Sequence, residues 1–196
     1  PTIMRDPALL AFFRSATPFP ELGGGNKVIF QHASLLRSLG HQVTLAAEGP
    51  APDWIRIDVP YLDRTREPLD LSAQDLVIAT YFTTIPVALD LRLGPVVHFC
   101  QGYEGDLEHL APRLAEIEAA YGHPLPAWVV SPQLAALLKA RFGREAVVVR
   151  AVRGQVDAEA KVEVEVLASV LYPTRMLTVL SFCSGSETKN PATVKV

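Results

Sequence analysis

Apolar residues follow two rhythms along this chain, and the two alternate. Short, nearly continuous apolar runs stand at 8–14, 42–47, 75–80, 95–100, 127–130 and 145–150. Such runs are the pattern of strands buried on both faces. Between them, apolar residues recur at helical spacing. From 26 to 39 they fall at Val28, Ile29, Ala33, Leu35, Leu36 and Leu39, which predicts a helix with one broad buried face. Gly40 stands where a left-handed residue would end it. A short helical stretch is expected near 86–93, and another at 112–121 with Leu114, Ile117 and Tyr121 in phase. Ser131-Pro132 reads as an N-cap followed by proline in the first helical position. Its helix carries Leu134, Leu137, Leu138 and Phe142 and stops at Gly143.

Strands alternating with helices predict an α/β fold, a Rossmann-like parallel sheet with helices on both faces. The stretch 50–74 interrupts the pattern, being rich in proline and charge, and its one strand candidate is 55–59. Beyond about 151 the texture changes. Residues 154–160 read as a linker, 161–166 alternate charge with valine, and 176–182 look like a buried strand followed by a Cys-Ser-Gly-Ser loop. A lone strand without a helix behind it cannot bury both faces. The expected organisation is a Rossmann-like domain over 1–153, an interdomain linker over 154–160, and over 161–196 a strand-rich tail that begins a second domain or packs on a partner.

Composition narrows the function classes. A net charge of −3 with no long Lys/Arg run gives no electrostatic case for nucleic acid. No apolar stretch approaches the roughly 18–20 residues of a transmembrane helix, and the first residues lack the layout of a signal peptide. The two cysteines, Cys100 and Cys183, lie far apart and make no metal-ligand spacing. The expectation is a reduced, cytoplasmic protein without a metal.

The run Gly23-Gly24-Gly25, between the first strand and the first helix, is the clearest candidate for chemistry. A strand–loop–helix corner directs bare backbone N–H groups and a helix N-terminus at one spot, which suits a phosphate. The plain alternative is a turn needing glycine's backbone freedom. It is not the dinucleotide fingerprint: roughly eight residues separate the strand from Gly23, and the Gly-x-Gly-x-x-Gly spacing is absent. Gln101-Gly102-Tyr103-Glu104-Gly105-Asp106 follows the strand at 95–100, at the carboxyl edge where open α/β sheets bind ligands. This loop is either a binding loop or a polar connection in which Asp106 caps the next helix. His98, inside an apolar strand, reads first as a core histidine with one hydrogen-bond partner and second as a base. Tyr81 and Thr83 follow the strand at 75–80 and either line an acceptor pocket or simply finish the strand. Asp63, Arg64 and Arg66 read as a solvated loop, and no nucleophile sits in a recognisable elbow.

Several of these segments, in order, resemble glycosyltransferases of the GT-B fold, of the retaining, glycogen-synthase-like type. Gly23-Gly24-Gly25-Asn26-Lys27-Val28, followed by Leu35 through Leu45 with its Gly40-His41-Gln42-Val43 step, is similar to the opening of that family's N-terminal domain. Val129-Val130-Ser131-Pro132 resembles a late strand-to-helix turn, Gly154-Gln155-Val156-Asp157 the interdomain linker, and Leu177 through Lys189-Asn190 the start of the C-terminal domain. The resemblance implies transfer of a sugar from a nucleotide-sugar, which is substrate and not cofactor, to a glycan or lipid-linked acceptor. Gly23, Gly24, Gly25 and Lys189 would then contact donor phosphate or sugar. Gln101, Gly102, Tyr103, Glu104, Tyr81 and His98 would lie on the sugar and acceptor side, Gln101 standing where many relatives carry histidine. No catalytic residue is assigned. The arginine expected near Cys183–Gly185 is missing, and the chain stops before the family's glutamate-rich donor motif. The expectation is therefore an acceptor-side half with little or no transferase activity alone, placed in the cytoplasm or at a membrane surface, with room for a homo-oligomer through the tail. The alternative is a non-catalytic Rossmann-like module that binds a glycan or a subunit.

Overall fold

Continuous apolar runs with little side-chain polarity are stable only where both faces are covered, and the chain meets that demand with one parallel sheet. The computed structural model describes residues 10–14, 24–38, 40–66 and 73–149, with the backbone alone for 10–14. The strands are β1 (Leu10–Arg14), β2 (Thr44–Glu48), β3 (Tyr61–Asp63), β4 (Val77–Ala79), β5 (Val96–Cys100), β6 (Ala127–Val129) and β7 (Ala146–Val148). The helices are α1 (Gly24–Ser38), α2 (Thr84–Leu91), α3 (Leu114–Tyr121) and α4 (Pro132–Phe142). Spatial order is β3-β2-β1-β4-β5-β6-β7, every neighbouring pair parallel. The α/β, Rossmann-like architecture read from the sequence is the one observed. The expected linker at 154–160 and tail at 161–196 lie outside the described residues.

Alternation along β5 shows how the two faces are covered. His98 and Cys100 face α3, where His98 meets the Tyr121 ring edge-on and Cys100 Sγ lies 3.5 Å from Tyr121 Oη. Phe99 points the other way and packs under His32 of α1, ring centroids 5.4 Å apart. Phe142 of α4 packs against Tyr121 with the rings tilted and their centroids 5.3 Å apart, so α4 shares the face of α3, while α1 covers the opposite one. Leu45, Leu76, Val77, Ala79, Val97 and Val129 between the layers are fully buried.

Local chemistry sets the helix ends. Ser131 Oγ accepts the Leu134 amide at 3.2 Å, with Pro132 in the first turn, as the dipeptide predicts. Gly40 (φ 92°) and Gly143 (φ 66°) occupy the left-handed region that terminates α1 and α4 without a Cβ penalty.

One strand differs from expectation. Residues 55–59 form no strand; β3 is Tyr61–Asp63, paired with β2 through Leu45↔Tyr61. The 55–59 segment is drawn to α1 by side chains instead: Trp54 sits edge-on to Phe30, and Ser34 Oγ donates to Asp58 at 2.5 Å. Asp63 likewise is more than a solvated loop residue. Its Oδ1 accepts from the amides of Gly49 (3.0 Å) and Thr65 (2.9 Å) and from the Thr65 hydroxyl (2.6 Å), tying the ends of β2 and β3 together. Tyr61 Oη donates to the carbonyls of Gly49 and Pro50 on the same corner.

Candidate functional site

From β1 the sheet grows one way to β2 and the other way to β4, so the strand order reverses between β1 and β4. Two crossover connections diverge there, and the crevice outside the carboxyl ends of those strands is the general ligand position in open α/β sheets. The sequence candidates sort themselves by their distance from this point.

Gly24 and Gly25 are the first two residues of α1. No acidic residue occupies the first turn, so the partial positive charge of the helix end is uncompensated by the helix itself. Gln101, just past β5, donates through Nε2 to the Gly25 carbonyl at 3.4 Å. The reason is positional: Gln101 shares its face of β5 with Phe99, which lies beneath His32. Two residues further along the strand, and two turns back along α1, the chains meet again at Gln101 and Gly25. Asn26, next on the helix, is buried.

The end of β4 forms the other wall. Thr80 and Thr83 are each 5% exposed, and neither hydroxyl has a hydrogen-bond partner. Buried hydroxyls without partners are costly and uncommon. Between them Tyr81 packs its ring on Phe82, 4.5 Å between centroids. The turn is locked by Thr84 Oγ1, which donates to the Tyr81 carbonyl at 2.5 Å. Arg113 lies over Phe82 at 4.6 Å while forming a two-point ion pair with Glu116.

Two other expected site residues, Tyr103 and Glu104, lie in the interior on the α3 face, and Gly102 just before them is exposed. Tyr103 is 5% exposed, set edge-on to Tyr121 and beneath the Arg141 guanidinium at 4.9 Å. Its ring is covered, while its hydroxyl is buried without a hydrogen-bond partner. Glu104 is 8% exposed, in a short 3-10 turn (Glu104–Asp106) that precedes a second one (Glu108–Arg113). Its Oε2 lies 2.5 Å from Tyr121 Oη. Burial drives its pKa up from 4.5 to about 7, against the lowering effect of the Tyr121 hydrogen bond. Gly102 contributes its carbonyl, which accepts from Tyr121 Oη at 3.1 Å and from Cys100 Sγ at 3.2 Å. Burial also pushes the Cys100 thiol up to about 11, which keeps it protonated and unreactive at neutral pH.

His98 is completely buried, with Nδ1 3.4 Å from Arg144 Nη1. Arg144 donates, so Nδ1 accepts and the imidazole is neutral; desolvation first and the Arg144 charge second depress its pKa. This is the core histidine with one partner that the sequence suggests, remote from any base role. Arg144 is the residue that sequence reading overlooks. It is 3% exposed and donates to the carbonyls of Leu125 (3.0 Å) and Tyr121 (3.4 Å), the latter at the negative end of α3. Its position just after Gly143 resembles any solvated helix-end arginine, so the sequence carries no signal for it.

Gly23 and Lys189 lie outside the described residues. Among the described residues no three His, Cys, Asp or Glu side chains gather as a metal site requires, and no helix is long and apolar enough to cross a membrane. Compared with protein-family models, curated proteins and solved structures, the chain finds no match.

Proposed function

We propose that this chain is the acceptor-side domain of a glycosyltransferase that moves a sugar from a nucleotide-sugar to a glycan or lipid-linked acceptor, with its ligand crevice at the β1/β4 reversal. The observation that carries this reading is the meeting of Gln101 with Gly25. It sets an amide side chain beside a helix N-terminus that no acidic residue of its own first turn neutralises, a pairing suited to a phosphate-bearing ligand. The partnerless hydroxyls of Thr80 and Thr83 on the neighbouring strand end support a polyhydroxylated ligand, whose hydroxyls could satisfy them after a small local adjustment. The motif order from Gly23 to Lys189-Asn190 supplies the family link.

A second reading, a non-catalytic glycan- or subunit-binding module of Rossmann-like fold, draws on a different observation. The ionisable candidates His98 and Glu104 are buried and engaged in structural contacts, so neither offers a proton to a ligand in the crevice. In the first reading the transition-state charge is handled by groups from a second domain.

The two readings part in one experiment. The chain is incubated with uridine, guanosine and adenosine diphosphate sugars, and binding and transfer are followed separately. Saturable binding of a nucleotide-sugar or nucleoside diphosphate, with no transfer by the chain alone, is the expected result. Binding of glycans with no affinity for any nucleotide would favour the module.

A further inference from the structure

The β5–α3 loop has one face turned to the crevice and the other locked into the core. Gln101 meets Gly25 on one side. One residue later the Gly102 carbonyl lies within hydrogen-bond reach of Tyr121 Oη, which also sits 2.5 Å from Glu104 Oε2. Tyr121 is fully buried, and a phenol carries one proton. It cannot donate fully to both oxygens. With Glu104 protonated, the carboxyl donates to Tyr121 Oη and Tyr121 donates to Gly102, satisfying every group in the chain. With Glu104 ionised, its proton lost to solvent, Tyr121 turns to the carboxylate, and the carbonyl of exposed Gly102 exchanges the phenol that tied it to α3 for the weak Cys100 S–H donor and solvent.

We propose that Glu104 is a positioning residue for the ligand crevice: its protonated carboxyl, acting through Tyr121 and the Gly102 carbonyl, sets the loop that seats Gln101 against the start of α1. This rests on the crevice reading of function given above. Ionising the carboxyl loosens the seat, so affinity for a phosphate ligand falls as pH rises through neutrality.

The surroundings of Glu104 make the carboxyl the group that titrates. From β5 it faces Cys100, whose thiol stays protonated, and His98 lies deeper and neutral. From α3 it faces Tyr121, held protonated by burial, while Glu118 is occupied by Arg141 at 2.6 Å. From α4, Arg141 covers Tyr103 and not the carboxyl, and beyond α4 Arg144 directs Nε and Nη1 at the Leu125 and Tyr121 carbonyls and His98, with Nη2 buried and unpartnered. Beside it along the chain stand Tyr103, buried, and Asp106, exposed.

The test uses the full chain, Glu104→Gln and Tyr121→Phe, with two readouts between pH 5.5 and 8.5. The first is amide hydrogen exchange over 101–106 without ligand, corrected for intrinsic rates. The second is calorimetric affinity for inorganic pyrophosphate. Glutamine keeps a donor toward Tyr121 at every pH. The expected result is protection that falls about tenfold across this range in the wild type, stays high in Glu104→Gln, and is low throughout in Tyr121→Phe, with pyrophosphate affinity following the same order. Exchange insensitive to pH and to both substitutions overturns the proposal, as does pyrophosphate affinity that ignores a real change in exchange. Changing protection with no pyrophosphate binding in any variant leaves the positioning device standing and removes the crevice reading instead.

Discussion

Tyr121 Oη lies 2.5 Å from Glu104 Oε2, and both groups are shut away from solvent between β5, α3 and α4. A carboxyl there is more easily kept protonated than ionised. Its pKa of about 7 in the fold exceeds the ordinary 4.5, so between those values the folded chain binds more protons than the unfolded one. Stability from this group is complete below the ordinary value and declines as pH rises through the interval. The loss is about 3 kcal/mol at one pKa unit per 1.36 kcal/mol. Denaturant titration of wild type and Glu104→Gln checks this. Both share the stability that neutral, buried His98 adds as pH rises through 6.5. Against that common rise the wild type should lose stability relative to the variant from pH 5 to 8, leaving the variant the more stable of the two at pH 8.

Asp63 should behave in the opposite sense. Burial works to raise its pKa, but the Thr65 hydroxyl, the Thr65 and Gly49 amides and Arg66 together hold it below the ordinary value. Its contribution is present above that value and disappears as pH falls through the lowered one. Asp63→Asn, which keeps one acceptor oxygen but no charge, should have a shallower loss of stability below pH 4 than the wild type, read from melting temperature against pH.

The ends of the helices and strands were legible in the sequence wherever one residue dictates local geometry. Ser131, Pro132, Gly40 and Gly143 do what their chemistry demands, and apolar spacing placed α1 and the central strands within a few residues. The site was legible by address only. Gln101 and the glycines could be assigned to the carboxyl edge, but the side-chain direction along β5 decides that Gln101 meets α1 while His98 faces inward. Nothing in the order Tyr103-Glu104 shows that Tyr121 and Phe142, from two later helices, close over them. Ile55, Ile57 and Val59 alternate as a strand should, yet tertiary contacts with α1 hold the segment, and the shorter Tyr61–Asp63 takes the sheet edge.

Arg144 is predicted to be structural. Replacing it with methionine leaves the Tyr121 and Leu125 carbonyls without their donor and should destabilise the domain by about 2–3 kcal/mol, measured by chemical denaturation. The His98 pKa, followed by NMR, should rise once the neighbouring charge is gone, and should stay below the ordinary value because desolvation is the larger cause.

Gly105 bears on the loop directly. A Cβ there would sit within van der Waals overlap of the Tyr103 ring, at 2.3 Å from its nearest atom. Tyr103 cannot yield freely, being packed on Tyr121 and Phe142. Gly105→Ala should therefore cost about 1–3 kcal/mol through overpacking, and should perturb ring signals of Tyr103 and Tyr121 in NMR spectra.

The central claim is that ligands enter at the reversal between β1 and β4. Its most direct measurement is the backbone-amide NMR spectrum of the chain titrated with uridine diphosphate, with guanosine and adenosine diphosphates alongside. The account predicts saturable shifts concentrated at Gly25, Asn26, Thr80, Tyr81, Gln101 and Gly102, reduced by Gln101→Leu. Shifts confined to the far edges of the sheet around β3 or β7, or none with any nucleotide, would contradict it.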